Sequence, residues 1–129
     1  PIDAKFNGEI NTFCDNVSSI DAKINAISVE AEENSIRYAT SDLLAYLDEL
    51  EMEFMKFSNI DFPEEFDYLE EMADEAGSYM TEAVASYHKA YEDGYNQSME
   101  EYASENYSRA CKRVHVILAL LRGEDIGNQ

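Results

Sequence analysis

The segment that decides the fold is DFPEEFDYLEEMADEAGSYMTEAVASYHKAY, residues 61–91. Its apolar side chains recur at intervals of three and four, which is the spacing that gathers side chains on one face of an α-helix. The apolar series consists of Phe66, Leu69, Ala73, Ala76, Met80, Val84, Tyr87 and Tyr91. Pro63 suits the first turn of a helix and cannot lie inside one. The segment therefore predicts an amphipathic helix over residues 63–92, preceded by a break.

Three further segments carry the same periodicity, and strand-type alternation does not extend beyond a few residues. The predicted helices cover about residues 4–28, 33–58, 63–92 and 97–123, with the first break somewhere in 28–34. Gly94 suits a left-handed helix cap, and Ser98 is available as an N-cap. Nearly equal lengths and short loops predict one all-α domain over residues 1–129, an antiparallel up-down-up-down four-helix bundle. Its predicted core includes Leu47, Phe54, Phe66, Leu69, Met80 and Ile117.

The first half of the quoted segment is strongly acidic, with eight carboxylates among residues 61–76. At about 100° per residue six of these carboxylates fall opposite the apolar series, which favours a solvated helix face: Glu64, Asp67, Glu70, Glu71, Asp74 and Glu75. Two alternatives stay open, weak calcium binding without an EF-hand loop and docking of a basic protein. Tyr68 and Tyr79 border the acids, where tyrosines either line the core boundary or bind protein or glycan partners. The predicted acidic and aromatic face consists of Glu64, Asp67, Tyr68, Glu71, Asp74, Glu75 and Tyr79.

The net charge of −19, from 28 acidic and 9 basic residues, repels phosphate backbones and anionic lipid headgroups. Nucleic-acid partners and a role at a membrane surface are therefore disfavoured. No apolar run approaches the ~20 residues that a membrane span needs, so direct membrane insertion by this segment is not expected. The fourth helix carries the cations Arg109, Lys112, Arg113 and Arg122. They suit the negative end of the helix dipole and pairing with acids on adjoining helices.

No motif for catalysis or for cofactor binding is present. His88 and His115 fall on the polar sides of the third and fourth helices, and neither follows a glutamate by three positions, as a di-iron bundle requires. The chain has no Gly-x-Ser-x-Gly turn, no phosphate-binding glycine loop and no Cys-x-x-Cys pair. The sequence therefore predicts a protein that is not an enzyme and that binds no cofactor or metal.

The two cysteines, Cys14 and Cys111, are predicted to lie at the interface between the first and fourth helices. Cys14 is ten residues after Ala4 and Cys111 is twelve residues before Gly123, so in antiparallel neighbours the two thiols have nearly the same height. Both lie at the edge of the apolar stripe. A disulfide is thus geometrically open, and two free cysteines that act as small core residues are the alternative.

Three stretches carry a family resemblance: FPEEFDYLEEMADEAGSYMTEA (62–83), LLAYLDELEMEF (43–54) and YSRACKRVHVILALLRGE (107–124). They are similar to uncharacterised, secreted or lipoprotein-like acidic helical-bundle domains of gut Gram-positive bacteria. The resemblance covers about residues 6–124 and implies a domain displayed outside the membrane. It also implies a signal and an anchoring cysteine in a removed N-terminal segment, and no catalytic residues. An exported location favours the disulfide.

These patterns favour a non-enzymatic extracytoplasmic helical-bundle module for interaction or display at the cell surface, with an unknown protein or glycan partner. The alternative is a small acidic inhibitor or immunity-type protein that neutralises a basic toxin or enzyme. Small size, high acidity and a helical bundle suit both functions. A native signal peptide and lipid-attachment cysteine would favour the first, and a start codon just before Pro1 beside a toxin gene would favour the second.

Overall fold

The computed structural model describes residues 3–30, 36–92 and 94–124, and in these ranges the chain is mostly helical and forms no strand. The elements are α1 (Ala4–Glu30), α2 (Ile36–Ser58), a 3₁₀ helix (Glu64–Leu69), α3 (Glu70–Glu92) and α4 (Gln97–Leu121). The prediction of an all-α antiparallel four-helix bundle is confirmed. The predicted first break falls largely on residues 31–35, which lie outside the described residues.

Helices that follow each other along the chain pack together, and α3 and α4 pack most closely. Small side chains permit this approach, because the distance between two helices depends on the residues at their contact. The fully buried alanines are Ala73, Ala76, Ala83 and Ala90 of α3 and Ala103 and Ala110 of α4. At Gly77 an added Cβ would lie 3.0 Å from the Ser58 Cβ, so this glycine lets α2 approach α3. The backbones of α1 and α4 stay further apart, so the bundle closes more loosely around α1.

Phenylalanines fill the end of the core where α1 begins and α2 ends. The rings of Phe13 and Phe57 have centroids 4.4 Å apart, and those of Phe6 and Phe62 have centroids 5.0 Å apart. Phe54 meets Phe13 edge to face at 5.4 Å. Such ring pairs add about 0.5–1.5 kcal/mol each to the free energy gained by burial. The cluster therefore ties α1, α2 and the loop before the 3₁₀ helix together.

One predicted core residue is misplaced. Leu47, Phe54, Leu69, Met80 and Ile117 are buried as predicted, whereas Phe66 is only half-buried. The prediction treated residues 63–92 as one α-helix, but residues 64–69 form a 3₁₀ helix with about three residues per turn. That difference rotates Phe66 away from the position that an α-helical wheel assigns to it. Phe62, in the loop before Pro63, fills the core instead.

The turn between α3 and α4 uses a different cap from the one predicted. Gly94 has a φ of +87°, in the left-handed region that suits glycine, as predicted. The N-cap of α4 is Asn96, whose side chain accepts a hydrogen bond from the Met99 backbone N–H at 3.1 Å. Ser98 already lies inside the helix, which explains why it does not cap. In the described part of the chain, no helix is long and apolar enough to cross a membrane.

Candidate functional site

The predicted acidic and aromatic face divides into a free part and a part that is used internally. Glu64, Asp67, Tyr68, Glu71 and Asp74 are all exposed along the 3₁₀ helix and the first turns of α3. Within the described ranges none of these four carboxylates pairs with a cation. Tyr68 is 63% exposed among them. This free part of the face therefore meets solvent, as the helical wheel predicted.

The other two predicted members, Glu75 and Tyr79, contact α4. The Nε atom of Arg113 lies 3.3 Å from the Glu75 carboxylate. The Arg113 guanidinium also lies 4.5 Å from the centroid of the Tyr79 ring, with Arg109 at 5.9 Å on the same ring. Tyr79 is half-buried by these contacts. Arg113 therefore pairs with an acid of an adjoining helix, as expected, and Tyr79 is part of the α3–α4 contact.

A tyrosine cluster closes the end of the bundle at the α3–α4 turn. The rings of Tyr87 and Tyr91 are parallel with centroids 6.4 Å apart, and Tyr95 stacks on Tyr91 at 5.9 Å. The hydroxyls of Tyr91 and Tyr95 both donate to the Glu100 carboxylate. These two donors lower the pKa of Glu100 because they stabilise its charged form. The cluster therefore joins the end of α3 to the start of α4.

His88 lies between two carboxylates. Its Nδ1 atom lies 2.7 Å from Glu92 and its Nε2 atom lies 2.7 Å from Asp48 of α2. Burial lowers the pKa of His88, but the hydrogen bonds and charges of the two carboxylates outweigh burial and raise it above 6.5. Glu92 lies four residues after His88, so the sequence did contain a signal for this half of the contact, whereas Asp48 is 40 residues distant. No group of three or more His, Cys, Asp or Glu in the described ranges is arranged to hold a metal ion.

Cys14 and Cys111 are free thiols, so the structure supports the alternative to the predicted disulfide. The two thiols have different charged neighbours. The charge of Arg122 acts on Cys14, and the charge of Asp21 acts on Cys111. Burial, followed by the charge of Asp21, raises the pKa of Cys111 to about 11. Burial and the charge of Asp15 raise that of Cys14. Both groups are therefore protonated and weakly nucleophilic at neutral pH.

A groove between α1 and α2, which the sequence analysis did not identify, has a volume of about 810 Å³. Phe13, Phe57 and Ile60 of the core lie beneath it, and Met52 and Met55 are 58% and 47% exposed along it. On the α1 side the lining includes three short side chains, which leave space between the helices unfilled. These residues are Gly8, Thr12 and Asn16. A helical wheel places both methionines on the outer face of α2, so the sequence did indicate a pair of exposed apolar side chains at this position.

The rim of the groove is charged but balanced. Asn16 donates to Glu53 at 3.0 Å, and Lys56 lies 3.4 Å from the same carboxylate. A smaller hollow of about 220 Å³ shares Asn16, Met52 and Glu53 with the groove and extends it towards Lys23 and Glu49. Those two residues form an ion pair at 3.7 Å. The groove and the hollow together therefore extend along α1 and α2 without a net excess of acid, and the hollow is lined mostly by polar side chains around Ile20 and Met52.

Comparison with known proteins found no match among protein families, curated proteins or solved structures. The resemblance to lipoprotein-like domains gains no support from these comparisons.

Proposed function

We propose that this protein is a non-catalytic helical-bundle module for interaction at the cell surface, and that its binding surface is the groove between α1 and α2. The observation that carries the proposal is the pair of exposed methionines, Met52 and Met55, above the buried rings of Phe13 and Phe57. Clefts with apolar walls and a few polar groups are the usual binding sites of proteins. A location outside the membrane is proposed from the sequence resemblance only.

The titratable groups support a non-catalytic function. Both ring nitrogens of His88 are bonded to carboxylates, so no lone pair is free to accept a proton from a substrate. The pKa values of both thiols are raised, which is the opposite of what an activated nucleophile needs. Catalytic groups are usually shifted towards the working pH, and these cysteines are shifted away from it.

Selection of random peptides displayed on phage, against the immobilised protein, tests whether the groove is the binding surface. Enriched peptides should lose binding to the double variant Met52→Glu/Met55→Glu. They should keep binding to Val29→Glu/Tyr68→Glu, a control that alters two exposed residues elsewhere and changes the net charge equally. Circular dichroism should show that both variants stay folded, because all four side chains are exposed.

Two results would overturn the proposal. Failure of any peptide to be enriched would argue against an interaction module. Peptides that bind the groove variant as well as the native protein would show that the binding surface lies elsewhere.

The second candidate, neutralisation of a basic toxin or enzyme, is favoured by the free part of the acidic face. Its carboxylates have no cation partner within the described ranges, and Tyr68 lies exposed among them. For this function Glu71→Gln/Asp74→Asn and Tyr68→Ala should weaken binding of cationic ligands, while Met52→Glu/Met55→Glu should not. The same selected peptides therefore discriminate the two functions.

A further inference from the structure

We propose that the groove between α1 and α2 binds an amphipathic α-helix of a partner protein, with apolar residues towards the groove and cationic residues along one flank. This inference rests on the proposed function, since it names the occupant of the same groove. Three features of the groove support it: its length, the chemistry of its floor and rim, and the charge on its α3 side.

The length of the groove suits a helix. Its lining runs from Lys5 to Lys23 of α1, eighteen residues apart, when the smaller hollow is included. At 1.5 Å per residue this distance is about 27 Å, or five turns. A small compact ligand would use only part of this length, whereas a helix of about 18 residues would fill it. Apolar side chains at intervals of three and four would then follow the strip of Met52, Met55 and the phenylalanines beneath them.

The floor and rim favour an apolar stripe. Methionine is flexible and polarizable, which makes it suited to packing against helices of different sequence. On the rim, Lys56 is paired with Glu53 and Lys23 with Glu49, so the neighbouring charges compensate each other. The strip is therefore nearly neutral on a protein whose net charge is −19. We therefore expect the bound helix to contact this strip mainly through apolar side chains, and to use its charged side chains beside the strip.

The acidic flank lies on the α3 side of the methionines. Asp48 contacts His88 of α3, and Glu51 lies against Thr81 of α3, so both carboxylates are on the side of α2 away from α1. Beyond them lies α3, which with the 3₁₀ helix contains nine carboxylates and one lysine between Glu64 and Glu92. A bound helix therefore gains from lysine or arginine on this flank. A second copy of this chain fits poorly, because two molecules of charge −19 repel each other.

Synthetic peptides of about 18 residues test the inference. The probe has leucine at helical spacing and lysine on the flanks. One control has the same composition in scrambled order, and another has glutamate in place of lysine. The probe should bind and become helical by circular dichroism, while both controls should bind at least about tenfold more weakly, measured by calorimetry.

The protein variants separate groove binding from general attraction between opposite charges. Met52→Glu/Met55→Glu and Val29→Glu/Tyr68→Glu add the same negative charge. Simple attraction predicts that both variants bind the cationic probe more tightly. Binding in the groove predicts that only the methionine variant binds it more weakly, by about tenfold or more.

Equal tightening in both variants, or equal binding of the scrambled peptide, would overturn the inference. If the phage peptides depend on the groove but are neither helical nor cationic, the proposed function stands and the helical occupant is wrong. Sedimentation of the protein without peptide tests whether a second copy of the chain occupies the groove. If the native protein is a dimer and the Met52→Glu/Met55→Glu variant is a monomer, the groove binds a second copy.

Discussion

His88 connects α2 and α3 through its charge. Ionised carboxylates can only accept hydrogen bonds, and the ring has one carboxylate on each nitrogen. Both nitrogens must therefore donate, which requires the protonated imidazolium. Glu51 also lies within electrostatic reach of the ring, so three acids favour this charged form. The contact is partly exposed, which limits its contribution to the free energy of unfolding to less than about 1 kcal/mol.

Replacing His88 by glutamine should lower the free energy of unfolding more at pH 6 than at pH 9. The pKa is raised in the folded state, so the stabilisation is complete below the unfolded value of about 6.5 and disappears as the pH rises through the folded value. Urea unfolding of the native protein and of the variant at both pH values measures this difference. His115→Gln, which replaces an exposed histidine of α4, is the matched control for the substitution itself. An equal loss at both pH values would mean that the ring acts by packing.

At the scale of the elements, the 3₁₀ geometry of residues 64–69 keeps Phe66 from the full burial that other phenylalanines reach. Pro63 begins the 3₁₀ helix, and α3 starts only at Glu70. Phe57 of α2 is fully buried in the aromatic cluster, whereas Phe66 is only partly buried and packs against the core. Two residues of the same type therefore contribute differently to stability, although both lie on apolar positions of a helical pattern.

Truncation of the two phenylalanines to alanine should have unequal effects. Phe57→Ala should lower the free energy of unfolding by about 3–5 kcal/mol, because it opens a cavity among packed rings. Phe66→Ala should lower it by about 1–2 kcal/mol, since part of the side chain is already in water. Urea denaturation followed by circular dichroism gives both values. If Phe66→Ala had the larger effect, the register of the 3₁₀ helix described above would be wrong.

At the scale of the whole molecule, the negative charge is unevenly distributed. Most carboxylates of the 3₁₀ helix and α3 have no cation partner within the described ranges, whereas Glu75 has Arg113. Like charges three or four residues apart on a helix repel by about 0.2–0.5 kcal/mol per pair. The bundle therefore folds against this repulsion, and burial of its apolar core compensates for it.

Neutralising two free carboxylates should test this repulsion. Glu71→Gln/Asp74→Asn should leave the melting temperature unchanged or raise it slightly at low salt, and the gain should vanish in about 1 M salt, where screening acts within a few ångströms. Glu75→Gln is the matched control and should give no gain, since it removes the partner of Arg113. Differential scanning calorimetry at both salt concentrations measures the effect. A fall of ten degrees or so for the double variant would point to carboxylates bound to a ligand.

The amino-acid sequence by itself determined the number of helices, their approximate ends and most of the core. These properties follow from local periodicity: side chains three and four residues apart share a face wherever the helix is α-helical. The prediction failed at Phe66, where the local geometry is 3₁₀. The same α-helical periodicity also predicted that Glu71 and Asp74 are exposed, as they are in the structure.

Only the tertiary structure decided which distant groups meet. The contact of His88 with Asp48, the position of Tyr79 under Arg113 and the free thiols depend on how helices are rotated and shifted against each other. The groove depends on short side chains of α1 lying opposite the methionines of α2, across two segments. Periodicity along one helix carries no information about rotation relative to a neighbour, because packing of side chains from both helices sets it.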